Sequence, residues 1–116
     1  MRKVVLPKAV PARFLVVSDP SRSEDWGRLT GLSSQGAVVT SLGPLKLGSR
    51  VLLSWEIHGQ KFELEGRVLT TKQEVSGYFT SFIFFIRTPD RKKISSFLID
   101  FLSLKSEGAS GIRTRE

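Results

Sequence analysis

Few side chains in this sequence have types and spacings suited to catalysis. The only histidine, His58, lies in a predicted turn without a neighbouring Ser or carboxylate that could complete a triad, and there is no cysteine. Glu63 and Glu65 share one face of a predicted strand, whereas paired catalytic carboxylates usually converge from different elements. The missing cysteines exclude disulfides, thiolate metal sites and a Cys nucleophile. We therefore expect a protein that is not an enzyme and has no metal or resident cofactor.

The positive charge of the chain is concentrated near its N-terminus. Residues 1–13 hold four bases and no acid, which is more than half of the net charge of +7. Residues 14–87 hold eight bases and seven acids, so the body is close to neutral. A nucleic-acid-binding surface usually places its bases on one face of the folded body. The distribution indicates a near-neutral domain with a basic arm, and nucleic acid is not the expected partner.

Apolar and polar residues alternate through the middle of the chain. The apolar sets on either side of a short loop are Val51, Leu53, Trp55 and Ile57, and then Phe62, Leu64, Gly66 and Val68. Period-two alternation around a Gly-containing loop predicts an antiparallel hairpin with one buried face. Trp55 and Phe62 are therefore expected in the core. Trp26, beside a polar loop, is left open between simple exposure and contact with a ligand or partner.

Four further strands and one helix complete the predicted elements. Strands are predicted at 13–18, 27–33, 37–41 and 78–86, and the last is apolar enough to be covered on both faces. Apolar residues then follow helical spacing: Ile94, Phe97, Leu98, Phe101 and Leu102. Thr88 can cap this helix, with Pro89 at its first position. We expect the helix to end near Leu104.

Six short strands separated by regular turns predict a closed barrel, because closure removes exposed strand edges. The predicted fold is mainly β: a six-stranded antiparallel barrel with one C-terminal α-helix over the last strand or plugging a barrel end. The predicted organisation is a basic arm at 1–11, the barrel and helix at 12–104, and a tail at 105–116. The tail has little apolar surface to bury, so we expect it to be disordered.

Several segments, taken in order, resemble the successive blocks of PilZ domains. They are Val10-Pro-Ala-Arg-Phe, Gly27-Arg-Leu-Thr-Gly-Leu-Ser-Ser-Gln-Gly and Pro44-Leu-Lys-Leu-Gly-Ser-Arg-Val, followed by the Gly66 and Phe84 strands and the closing helix. The resemblance covers roughly residues 1–104. It depends on the order and spacing of the blocks more than on any single block. It implies a six-stranded barrel that serves bacterial cyclic di-GMP signalling.

The resemblance implies an arm motif that this sequence lacks. In PilZ domains an Arg-x-x-x-Arg motif before the first strand grips phosphates and stacks on guanine, which suits a planar, permanently charged guanidinium. Counting back from the Val10 block places these two arginines near Met1 and Val5, and neither is arginine. Arg2 and Lys3 are merely close in sequence.

The second motif of the family, Asp/Asn-x-Ser-x-x-Gly, is present in part. Ser33 and Gly36 match it, but Gly31 stands where Asp or Asn is expected. The Ser33–Gly36 segment is equally well explained as a tight turn. The sequence is therefore interpreted as a degenerate PilZ-like domain.

Two function classes follow from this interpretation. The first is a protein-binding adaptor that has kept the barrel and binds cyclic di-GMP weakly or not at all. The second is a cyclic di-GMP receptor that uses Arg2, Lys3 or Arg13 in an altered register together with Ser33 and Gly36. An RNA-binding barrel ranks last, because the sequence lacks a strand of interleaved aromatic and basic residues.

The expected partner is an unidentified protein, or a second copy of this chain. Ile99 and Leu104 lie off the main apolar stripe of the predicted helix, so we expect them to form the partner surface. No apolar run approaches the ~20 residues that span a bilayer, and the first residues do not form an export signal. We therefore expect a cytoplasmic protein without membrane insertion.

Overall fold

The strands form a closed antiparallel barrel, as predicted. The computed structural model describes the backbone of residues 4–17 and 25–110, and the side chains of residues 5–6, 8–17 and 25–101. The elements are β1 (Val4–Val16), β2 (Asp25–Leu32), β3 (Gly36–Ser41), β4 (Arg50–Ile57), β5 (Gln60–Gln73), β6 (Phe79–Phe85) and α1 (Thr88–Ser110). The strand order around the barrel is β1-β2-β3-β6-β5-β4.

The central hairpin confirms the alternation in the sequence. β4 and β5 pair from Arg50↔Arg67 to Ile57↔Gln60. The two residues between them, His58 and Gly59, have φ values of 53° and 76°. Positive φ at both positions matches the twist of the flanking strands and favours a tight two-residue connection. His58 is thus an exposed turn residue, as expected.

The barrel has two ends, and because neighbouring strands are antiparallel, the connections between strands alternate between them. The helix end carries the β2–β3 and β4–β5 turns, the first residues of β1 and the start of α1. The loop end carries the β1–β2, β3–β4 and β5–β6 connections.

An aromatic stack joins the barrel interior to α1. Trp55 stacks on Phe62 with ring centroids 5.2 Å apart. Phe62 meets the edge of Phe97 at 5.0 Å, and Phe101 lies 5.6 Å from the His58 ring at the β4–β5 turn. Ile94 and Leu98 are also buried. The helix therefore closes the barrel at its helix end, which was one of the two expected positions.

Arg91 fixes the junction between β6 and α1. Its guanidinium donates hydrogen bonds to the carbonyl oxygens of Phe85 and Ile86, at 2.7 and 3.2 Å. It also donates to the hydroxyl of Thr88 at 3.0 Å. The helix begins at Thr88 itself, and the Arg87 carbonyl accepts from the backbone N–H groups of the first turn. Thr88 therefore does not have the predicted capping role, and its hydroxyl instead accepts the hydrogen bond from Arg91.

Two predicted boundaries differ from the structure. β1 begins at Val4, not near Arg13, so residues 4–11 are strand rather than arm. Pro7 lies where the β1–β2 register shifts, and Pro11 immediately precedes the β1–β4 ladder, two places where a strand tolerates proline. The helix continues to Ser110 instead of ending near Leu104. Lys, Glu and Ala in this stretch have high helix propensity, which extends the helix through a segment without an apolar stripe.

Candidate functional site

Two of the three positions at which the sequence departs from the PilZ motifs, Val5 and Gly31, come together at the helix end, and the third, Met1, lies outside the described residues. Val5 of β1 pairs with Gly31 of β2 across the ladder. Val5 is 69% exposed, and Gly31 is buried. The register shifts on both strands nearby, between Val5 and Val10 on β1 and between Leu29 and Gly31 on β2. The geometry thus places the arm position Val5 beside the strand-end position Gly31. Neither residue has the polar or charged side chain that the family motifs imply there.

Ser33 closes the turn between β2 and β3. Its buried hydroxyl oxygen accepts hydrogen bonds from the backbone N–H groups of Gln35 and Gly36, both at 3.2 Å. The hydroxyl donates to the carbonyl of Gly36 at 3.3 Å, and the backbone N–H of Ser33 donates to the same carbonyl at 2.9 Å. Side-chain bonds of this kind are a regular device for stabilising turns. The tight-turn interpretation of this segment therefore has a direct geometric basis.

Gly36 allows two parts of the barrel to approach closely. A Cβ at this position would lie 2.4 Å from the carbonyl oxygen of Ile83 and 2.5 Å from the ring of Phe82. No side chain fits there without movement of the β3–β6 pair. Packing alone thus explains why a glycine stands at position 36, without any role in binding a ligand.

Arg13 is placed away from this turn. On β1 it lies opposite Trp26 on one side and Ser54 on the other. Its guanidinium lies 5.8 Å from the Trp26 ring. Trp26 and Ser33 are seven residues apart, or about 20 Å along β2 at the usual strand rise. The structure does not bring Arg13 and Ser33 into one site.

The remaining predicted site residues are described in part. Arg2 and Lys3 lie outside the described residues. Ile99 is 65% exposed on α1, between buried neighbours at Leu98 and Phe101. Leu104 belongs to α1, but its side chain lies outside the described part of the structure.

Comparison with solved structures identifies the architecture. The chain is similar to the PilZ domain of YcgR from Escherichia coli with c-di-GMP, with a TM-score of 0.69 and 12% identity over 96% of each chain. The chain has the PilZ fold. YcgR in complex with c-di-GMP from the same organism gives a TM-score of 0.75 and 16% identity, covering 97% of this chain and 49% of that one.

A third PilZ-fold neighbour is the inhibitor of motility MotI/DgrA from Bacillus subtilis. It gives a TM-score of 0.67 at 15% identity and covers 90% of this chain and 52% of that one. The chain therefore spans about half the length of MotI/DgrA and of the longer YcgR chain. No protein-family model matches the sequence, and no curated protein matches it.

Two clefts on the described part of the outer surface were not revealed by the sequence pattern. A cleft of about 710 Å³ includes Arg13, Trp26, Lys61 and Lys93 among its lining residues. A second cleft, of about 440 Å³ at the loop end, is built from three separate elements and includes Trp26 and Tyr78. Trp26 borders both. The polar loop beside Trp26 was the one sequence signal for this surface, and it left the role of the residue undecided.

The described residues contain no group of three or more acidic or histidine side chains placed to hold a metal ion. Within the same part of the chain, no helix combines the length and apolar character needed to cross a bilayer.

Proposed function

We propose that this chain is a non-enzymatic PilZ-fold regulatory domain of bacterial signalling that acts by binding another protein and binds cyclic di-GMP weakly or not at all. The observation that carries the proposal is the pairing of Val5 with Gly31. In the motif alignment, these positions would hold a guanidinium and a carboxylate or amide. A valine methyl group and a glycine hydrogen can neither pair with a phosphate nor accept from a guanine edge.

The expected loss of affinity is large. A hydrogen bond to a charged group contributes about 1.5–3 kcal/mol, and a tenfold change in affinity corresponds to about 1.4 kcal/mol. Two such losses weaken binding by roughly two to four orders of magnitude. Ser33 offers little replacement, because its hydroxyl already serves the turn.

The exposed side of α1 supports a protein-binding role. Outward aromatic residues of β6 are already partly covered: the Phe82 ring lies over Gly36, and the Arg91 guanidinium lies 5.3 Å from the Phe84 ring. Ile99 has no such cover. A single exposed apolar residue is ordinary, so contact of Ile99 with a partner protein or a second copy of the chain is a proposal that substitution at Ile99 must test.

The structural neighbours are consistent with both function classes. MotI/DgrA is an inhibitor of motility, and YcgR has been seen with c-di-GMP. The second observation favours the alternative that this chain is itself a cyclic di-GMP receptor that uses a shifted basic arm and the Ser33/Gly36 turn. The adaptor proposal includes a cytoplasmic location, in keeping with the absence of cysteine.

Calorimetric titration with cyclic di-GMP separates the two classes. The adaptor proposal predicts no saturable heat, or a dissociation constant above about 1 μM, equivalent to ~−8 kcal/mol. The PilZ domain of YcgR is a suitable positive control, because its structure has been determined with this nucleotide. A dissociation constant below 1 μM for the present chain would favour the receptor and overturn the proposal.

A further inference from the structure

Three large apolar side chains are exposed around one cleft at the loop end of the barrel. Trp26 of β2 is 62% exposed, Leu42 after β3 is 75% exposed, and Tyr78 before β6 is 48% exposed. All three line the cleft of about 440 Å³, which we call the loop-end cleft. Single exposed apolar residues are ordinary, whereas a cluster around a concavity marks an interaction site. Trp and Tyr are also enriched among the residues that dominate binding energy at protein interfaces.

The β1–β2 ladder and the turn before Tyr78 hold two of the aromatic side chains that line the cleft in place. Trp26 is fixed in the β1–β2 ladder opposite Arg13, whose guanidinium lies 5.8 Å from the indole ring. The turn before Tyr78 is closed by two backbone hydrogen bonds, from Glu74 N–H to the Tyr78 carbonyl at 2.8 Å and from Gly77 N–H to the Glu74 carbonyl at 2.9 Å. A preformed surface loses less conformational entropy when a partner binds.

Two exposed bases are placed to pair with an acidic occupant: Arg28 lines the cleft, and Lys72 lies outside the lining on the same row of paired strand residues. Arg28 lines the cleft and is exposed, and no ion pair or side-chain hydrogen bond holds it among the described residues. Arg28 pairs with Thr40, Thr40 with Thr80, and Thr80 with Lys72. This row across four strands has two hydroxyl side chains between two exposed bases. Glu74 is the one acidic residue among those lining the cleft in the described part of the chain.

We propose that the loop-end cleft binds an acidic segment of a partner protein. An aromatic or aliphatic side chain of that segment inserts between Trp26, Leu42 and Tyr78, and its carboxylates pair with Arg28 and Lys72. A protein segment fits better than a nucleic acid, because aliphatic Leu42 forms part of the lining and offers no ring on which a base could stack. A phosphate backbone is usually followed by a groove of several bases, whereas Arg28 is the one base among the described residues that line the cleft. The inference rests on the proposed adaptor function and gives it a second surface, at the barrel end opposite α1.

The test uses the full chain and fluorescein-labelled twelve-residue peptides, with binding followed by anisotropy. One panel carries a central Phe, Tyr or Leu flanked by Glu and Asp, and the matched panel carries Lys in place of every acid. We expect at least one acidic peptide to bind at least tenfold more tightly than its lysine counterpart. Trp26→Ala should weaken that binding at least tenfold. Arg28→Glu should weaken it at least fivefold and reduce its dependence on salt.

Arg87→Glu is the matched control, because it makes the same change of charge on an exposed residue at the opposite end of the barrel, and it should leave binding within twofold. The proposal is overturned if no acidic peptide exceeds its lysine counterpart, or if Trp26→Ala binds as wild type does. It is also overturned if labelled oligothymidylate binds more tightly than every acidic peptide. These outcomes are independent of the calorimetry with cyclic di-GMP and of substitutions at Ile99, so failure of this surface is distinguishable from failure of the adaptor function.

Discussion

Val5 and Gly31 lie directly opposite each other in the β1–β2 ladder, at the end of the barrel that α1 closes. In sequence they are 26 positions apart, and each corresponds to a different motif of the PilZ family. On the proposed motif alignment, the fold therefore brings the two motif positions together, with a valine at one and a glycine at the other. Substitution at these two positions tests the proposed alignment.

Restoring both side chains should restore part of the affinity for cyclic di-GMP. We expect Val5→Arg combined with Gly31→Asp to bind the nucleotide at least tenfold more tightly than wild type. Each regained charge-assisted hydrogen bond contributes about 1.5–3 kcal/mol, and part of that gain is offset by the burial of the new carboxylate at Gly31. Calorimetric titration measures the change, and the melting temperature shows whether the barrel remains folded.

A matched control for this repair is Leu47→Arg combined with Gly43→Asp. Leu47 is exposed, and a Cβ at Gly43 would meet no atom within 4 Å. The control adds the same two charges at the loop end and should leave nucleotide affinity unchanged. A folded repair variant with no gain over this control would show that the motif alignment at Val5 is wrong.

The two tryptophans should differ sharply in their contribution to stability. Trp55 is 4% exposed and stacks on Phe62 and Phe85, so Trp55→Ala leaves a large cavity. We expect it to lower the free energy of unfolding by about 3–5 kcal/mol. Trp26→Ala removes an exposed ring and should cost less than about 1 kcal/mol. Chemical denaturation of both variants measures the difference, and equal midpoints for them would contradict the packing of Trp55 in the core.

A milder substitution at Trp55 tests the same packing from another direction. The indole Nε1 of Trp55 is buried and has no hydrogen-bond partner among the described residues. Trp55→Phe keeps a ring in the stack and removes this unsatisfied donor, whose burial costs about 1–3 kcal/mol. We expect it to retain most of the stability that Trp55→Ala loses. If Trp55→Phe destabilises the domain as much as Trp55→Ala, the indole N–H has a bonding role that this packing does not include.

Local patterns predicted most of the barrel. The alternation from Val51 to Val68 gave the central hairpin and the inward position of Trp55, because a period of two is a property of neighbouring residues. The helical stripe from Ile94 to Phe101 likewise gave the buried face of α1. In both cases the sequence signal and the burial arise within one element.

Features that depend on contacts between distant segments could not be predicted in the same way. The pairing of Val5 with Gly31 depends on register shifts in β1 and β2, and bulges have no fixed sequence pattern. The early start of β1 was hidden by Pro7 and Pro11, which local propensity assigns to a loop. The loop-end cleft joins Trp26 of β2, Leu42 of the β3–β4 connection and Tyr78 of the β5–β6 connection, so no local pattern marks it.

Gly36 should be required for the packing of β3 against β6. We expect Gly36→Ala to lower the free energy of unfolding by about 1–3 kcal/mol, because the new methyl group would overlap the Ile83 carbonyl and the Phe82 ring. Gly43→Ala is the control, since open space surrounds that position. It should be neutral or slightly stabilising, because alanine reduces the freedom of the unfolded chain. Thermal or chemical denaturation checks both, and an unchanged Gly36→Ala variant would mean that Gly36 is not held by packing.

The exposed side of α1 provides the last prediction. Ile99→Gln should leave the domain folded, because exposed Ile99 contributes little to the core and polar substitution at such a position usually changes stability by less than about 0.5 kcal/mol. Leu104→Gln is compared only after its melting temperature has been shown to match that of wild type. If the helix carries the partner surface, both variants should reduce self-association measured by light scattering, or capture of the wild-type partner from lysate. Ser96→Gln, at another exposed position of α1, is the control and should behave as wild type.

Contacts at the centre of a protein interface depend on well-packed apolar side chains, so a single glutamine at position 99 is enough to disrupt such a contact. If both variants remain folded and neither the mass nor the captured partner changes, α1 only closes the barrel, and the loop-end cleft becomes the leading candidate for the adaptor surface.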